Sequence, residues 1–290
     1  MEKFIKRFFC FLAVVVVLNL LYLLVLMVFS PGLKKIYDIS QFENQQFETI
    51  ILGNSMALDA LDAEYLTKNG MSTYNLSVAG DHVSTSLLLL EEYLKKNQKP
   101  KMVVVGLSSV IGKSYLNPVA FTNPEVDFFY HPNLWHNITN PPLLNFQWLA
   151  VDLLKIMLSK DHRNATMALG QWKTKKVIPD QARLNYSNNT LFNYDDPYLA
   201  RIIALCEEQN IKVVLVELPG SKDKRNALPF DMQYKLNNKK LVTIYNLNNY
   251  EVSESIIDPS KDWLAADHLN QFGGEKITAF LFKEVFQKQK

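Results

Sequence analysis

The chain has 290 residues, of which 48% are hydrophobic, with a formal charge of +2 and a pI near 8.3. So mild a balance, with no long block of like charge, argues against a nucleic-acid partner. The two cysteines, Cys10 and Cys206, form no disulfide framework, and neither has a His or Cys at metal-ligand spacing, so no metal and no cofactor is implied.

Residues 1–7 are basic, with Lys3, Lys6 and Arg7 against Glu2. From Phe8 to Phe29 there is no charge, and Asn19 is the sole strongly polar residue. A helix of that length covers about 33 Å, enough to cross a hydrocarbon core. The leading positive charges predict a cytoplasmic N-terminus, which Lys34 and Lys35 weaken without reversing. A cleavable leader has a shorter apolar run and a small-x-small site, and Met27-Val28-Phe29-Ser30-Pro31 offers none. The expectation is a single-pass anchor over 8–30 in the cell membrane, stopped by Pro31-Gly32, with a linker over 31–46 and an extracytoplasmic domain over 47–290. The span has no small-xxx-small face, so nothing favours assembly through the helix itself. Sequons at Asn75, Asn137, Asn164, Asn185 and Asn188 are read as chance in an Asn-rich chain.

After the linker, short apolar runs alternate with helical patterns. Strands are predicted over Thr49–Gly53, Ser72–Val78, Lys101–Gly106, Lys212–Leu218 and Val242–Leu247. Helices are predicted over Asp59–Lys68, Ser84–Lys96, Tyr198–Gln209 and Gly274–Gln287. This alternation implies a three-layer α/β/α sandwich on a five-stranded parallel, flavodoxin-like sheet ordered 2-1-3-4-5. Residues 109–195 break the pattern. They hold Pro118, Pro124, Pro132, Pro141, Pro142 and Pro179 and one predicted helix near Phe146–Leu158, and are read as a cap or substrate insert. Phe128, Phe129, Tyr130 and Trp135 can stack on sugar rings or pack the insert, and His131, His136 and His162 fit no metal motif.

Ligands in open α/β sheets sit at the carboxyl ends of the strands. There the sequence places Gly53-Asn54-Ser55, Ala79-Gly80-Asp81, Gly106-Leu107-Ser108-Ser109 and Ala266-Asp267-His268-Leu269-Asn270. A serine, a histidine and two glycine turns are the content of a Ser-His acyl-transfer site. Plainer roles exist for each. Ser55 can cap a helix, His268 can cap or pack, Gly80 can supply a positive-φ turn, Asp81 can cap the helix near Ser84, and His82 can be a surface residue. A dinucleotide or P-loop cradle is excluded, because Gly53-Asn54-Ser55-Met56 has neither the further glycines nor a Gly-Lys-Ser/Thr.

With these residues the chain resembles the SGNH (GDSL-like) hydrolase superfamily, over roughly 47–282 apart from the insert. Gly53-Asn54-Ser55 resembles the block carrying the nucleophile, Gly80 the oxyanion glycine of the second block, and Asp267-His268-Leu269-Asn270 the block carrying the base. Asp59-Ala60-Leu61-Asp62 and Leu218-Pro219 are similar to the membrane-anchored branch associated with bacterial envelope polysaccharides. Two positions depart from the pattern. Ser108 stands where the third block has an oxyanion asparagine, and Ala265 stands where the acid is usual. Asp267 or Asp262 can orient the imidazole instead, or a Ser-His dyad works without an acid.

The resemblance implies a serine esterase or O-acyltransferase acting on acyl groups, often acetyl, of an extracytoplasmic polysaccharide or other envelope polymer. A membrane-embedded acyltransferase would be a possible acyl supplier. Ser55 would be the nucleophile, His268 the base, and Gly80 with Ser108 part of the oxyanion hole. The other expectation is a catalytically degenerate member that binds glycan or scaffolds an envelope complex. The separation of Ser55 Oγ from a His268 nitrogen discriminates between the two.

Overall fold

The computed structural model describes residues 1–80, 82–108, 123–130, 141–158, 165–178, 194–220, 225–265 and 267–289. The expectations for Asp81, Ser109, His131, Trp135, His136, His162 and the sequons at Asn137, Asn164, Asn185 and Asn188 fall outside them. The chain divides into two compact units, Met1–Gln41 with Pro124–Arg163, and Phe42–Asn123 with Asn164–Lys290. The region expected to form one insert is therefore shared between them.

The first unit begins with α1 (Glu2–Phe29), which is long and apolar enough to cross a membrane. Ser30 breaks the helix in an extended conformation, and its hydroxyl accepts the Leu33 amide. Pro31 then opens α2 (Pro31–Ser40), because a proline at the first helical position loses only an amide that would lack a partner anyway. The expected linker is thus helical as far as Ser40. From the insert come α6 (Pro124–Tyr130), α7 (Pro142–Asn145) and α8 (Gln147–Leu158). Leu26, Leu33, Phe146, Leu149 and Leu153 form this unit's core, with Phe128 and Phe129 packed against it. Phe128 meets Phe146 edge-on at 5.1 Å and Phe129 meets Tyr37 at 5.6 Å, so these two rings pack the unit.

The second unit is α/β. Its elements are β1 (Thr49–Gly53), α3 (Ser55–Ala60), α4 (Ala63–Lys68), β2 (Thr73–Asn75), α5 (Val83–Lys96), β3 (Met102–Leu107), β4 (Ala165–Ala168), β5 (Gln171–Thr174), α9 (Pro197–Glu208), β6 (Lys212–Glu217), β7 (Asp231–Lys235), β8 (Leu241–Asn246), α10 (Tyr250–Ile256), β9 (Trp263–Ala265), β10 (His268–Leu269) and α11 (Gln271–Leu281). The main sheet is ordered β2-β1-β3-β6-β8-β7. Its first five strands pair in parallel, in the expected order, and β7 adds an antiparallel sixth strand at the edge. That strand escapes a hydrophobic reading because in Asp-Met-Gln-Tyr-Lys only Met232 is buried.

The buried strands are apolar on both faces, as a covered parallel sheet requires. One face packs Ile51, Val104, Val214 and Val216 with Trp263, Ile277 and Leu281. The expected second strand is shorter, yet Leu76 and Val78 still donate their amides to Ile51 and Gly53 beyond its end. The expected Asp59–Lys68 helix is two helices, parted where Leu61 is extended and Asp62 caps α4 through the Tyr65 amide. The closing helix starts earlier than expected, because Asn270 caps it by accepting from the Phe272 and Gly273 amides.

Candidate active site

Strand β1 ends at Gly53, side by side with Gly106 near the end of β3. A Cβ on either glycine would lie 2.6 Å from Cβ of Ala57, so both must be glycine for α3 to sit directly over the strand ends. Asn54 starts that helix, its Oδ1 accepting the Met56 amide at 2.9 Å. The capping role considered for Ser55 therefore belongs to Asn54, and Ser55 occupies the first helical position.

A helix of six residues has little stability of its own. This one is held from outside at its carbonyls. Asn75, fully buried, donates to the Ala57 and Leu61 carbonyls, Gln171 Nε2 donates to Asp59 O, and Thr278 Oγ1 donates to Ala60 O. Gly274 lets α11 come close, since a Cβ there would stand 2.9 Å from Asp59 O. Elements from three parts of the chain, β2, β5 and α11, thus fix this short helix.

His268 reaches that turn from β10, which pairs with β9 so that His268 lies opposite Ala265. Its Nε2 is 3.5 Å from Ser55 Oγ and its Nδ1 is 2.7 Å from Asp59 Oδ2. Ser55 and His268 are half-buried, whereas Asp59 is only 6% exposed. The carboxylate thus lies deepest and the hydroxyl nearer solvent. In this arrangement Asp59 fixes the tautomer with hydrogen on Nδ1 and leaves Nε2 as a base toward the serine.

Both acids expected from sequence are corrected. The carboxylate bonded to Nδ1 is that of Asp59 on α3, so the orienting role expected of Asp267 falls to Asp59. Asp262 is buried, and its Oδ2 accepts from Lys276 Nζ at 2.6 Å and from the Asp258 amide at 2.7 Å. It closes the 258–262 loop onto α11. The signal that was missed is Ser55-x3-Asp59: on a helix beginning at Ser55 these residues share a face, but a helix beginning at Asp59 hides the relation.

Ser108 Oγ accepts from Asn54 Nδ2 at 3.4 Å, which leaves its own O–H available as a donor. Gly80 lies in an exposed turn with φ +68°, a conformation that glycine adopts without strain. His82 sits at the N-terminus of α5 without a side-chain capping bond. Cys206 is buried in α9, where burial pushes its thiol up to about 12.

No protein-family model and no curated protein matches the chain. Among solved structures it is similar to a protein from Streptococcus pneumonia described as a candidate platelet activating factor. That match covers 93% of this chain and 98% of the other, at 9% identity and a TM-score of 0.39.

Proposed function

We propose that this chain is a membrane-anchored serine esterase or O-acyltransferase of the SGNH type, acting on acyl esters of an extracytoplasmic polysaccharide or envelope polymer. The observation that carries the reading is the continuous line from Ser55 Oγ through the His268 ring to Asp59. Ser55 Oγ attacks the ester carbonyl while His268 Nε2 takes its proton. The resulting imidazolium is stabilised by the Asp59 carboxylate. The oxyanion is met by the Ser55 amide, which has no partner within the helix at its first position, together with the Gly80 amide and the Ser108 hydroxyl. Collapse expels the alcohol, protonated by His268, and leaves an acyl group on Ser55. Water then completes hydrolysis, or an acceptor hydroxyl completes transfer.

The anchor reading draws support from α1 itself. Its inner residues are bonded and packed within the first unit, as in a helix that is kept. A fluorophosphonate probe and p-nitrophenyl acetate, applied to the full chain in detergent, test the chemistry. Wild type should label and turn over, and Ser55→Ala should lose both. His268→Ala should lose turnover by about 10³-fold or more. Wild type that neither labels nor turns over would favour the glycan-binding scaffold instead.

A further inference from the structure

Within the first unit, α7 and α8 run alongside the apolar helix α1. The Leu143 amide donates to Asn19 Oδ1 at 3.0 Å, and Tyr22 Oη donates to the Phe146 carbonyl at 2.8 Å. Both pairs are 124 residues apart in sequence, so the two stretches advance in the same direction and at the same rate. Asn19 is also the one strongly polar residue of the span. It is 8% exposed and donates its own amide back to Val15 O.

Counted along α1, Asn19 lies about 15 Å before Phe29, near the middle of a hydrocarbon core about 30 Å thick. Irregular backbone at that depth is tolerated only where its polar groups find partners. The start of α7 meets that condition. Pro141 and Pro142 carry no N–H, the Leu143 amide goes to Asn19, and the Leu144 and Asn145 amides go to Pro141 O. On the side away from the core, Leu143, Leu144, Trp148, Val151 and Leu154 are 40–61% exposed. A soluble surface rarely presents so many large apolar groups together. By the same register Leu153 is level with Phe29, the last residue of α1.

We infer that α7 and the first two turns of α8 form a second membrane-embedded element. It starts at mid-bilayer at Pro142-Leu143, advances toward the side on which α1 ends, and presents Leu144, Trp148 and Val151 to lipid acyl chains. The inference rests on α1 crossing the membrane. Asn19 then acts as an intramembrane cap for this segment, which accounts for the one polar residue in an otherwise apolar span.

The test uses full-length chain with the fluorophore NBD on single cysteines, reconstituted in phosphatidylcholine–phosphatidylglycerol vesicles. The sites are native Cys10 and, on a Cys10→Ala background, Leu144→Cys and Leu241→Cys, the last in β8. Buried Cys206 does not compete for the label. Expected is strong quenching of positions 10 and 144 by lipids bearing a nitroxide near the acyl-chain centre, with little quenching by iodide, and the reverse at 241. Iodide quenching at 144 with nitroxide quenching at 10 would overturn the inference and leave the anchor standing. Shielding of 144 from both quenchers would mean that protein, such as a second copy, covers the face, and would also overturn it. Iodide quenching at 10 would remove the anchor and the inference together.

Discussion

Ser55 and Asp59 stand one turn apart on the same short helix, and each meets a different nitrogen of the His268 ring. One helical turn therefore carries both outer members of a three-residue chain, and a single residue from β10 completes it. Because the geometry depends on where α3 sits, groups that hold that helix affect chemistry without touching substrate.

Asn54 is such a group, bonded through one end of its amide to the Met56 N–H and through the other to Ser108 Oγ. Asn54→Ala should cost about 1 kcal/mol of stability for the lost cap. It should also lower kcat, because Ser108 loses the contact that orients its hydroxyl. Asn54→Asp keeps the cap but not the donor, so it should restore the melting temperature and not the rate.

Asp262 offers the converse case. Its buried carboxylate is committed to Lys276 and the Asp258 amide. Asp262→Ala should lower stability by about 1–3 kcal/mol through the unpaired amide and cation. Probe labelling per folded molecule should stay close to wild type. A large loss of labelling without a drop in melting temperature would return Asp262 to the site.

Glu125 is buried in the first unit, and that burial raises its carboxyl from the usual value of 4.5 to about 7. A raised acid favours the folded state while protonated. Its contribution is therefore complete below about pH 4.5 and is lost as pH rises through 7. The difference is at most about 3 kcal/mol. Melting in detergent between pH 5 and 8 should show wild type weakening with pH, and Glu125→Gln should flatten the trend.

Much of this architecture was legible from residues alone. Strands β1 and β3 declare themselves as apolar runs buried on both faces, and Ser55 follows from where β1 ends, whereas β2 is the polar Thr-Tyr-Asn and is shorter than its sequence pattern predicts. Asp59 was not legible from periodicity, since the helix carrying it has no apolar repeat of its own and is held by Asn75, Gln171 and Thr278 from elsewhere in the chain. The edge strand β7 was missed because its side chains are mostly exposed. The role of Asn19 needed the distant Leu143 amide to become visible.

The most direct test of the account replaces Asp59 by asparagine and, separately, Asp267 by asparagine. Fluorophosphonate labelling rates and ester turnover of the full chain would be compared with wild type, with melting temperatures as the folding control. The account predicts a loss of about 10³–10⁴-fold in turnover for Asp59→Asn, with the fold intact, and little change for Asp267→Asn. An Asp59→Asn protein that turns over like wild type, or an Asp267→Asn protein that does not, would contradict it.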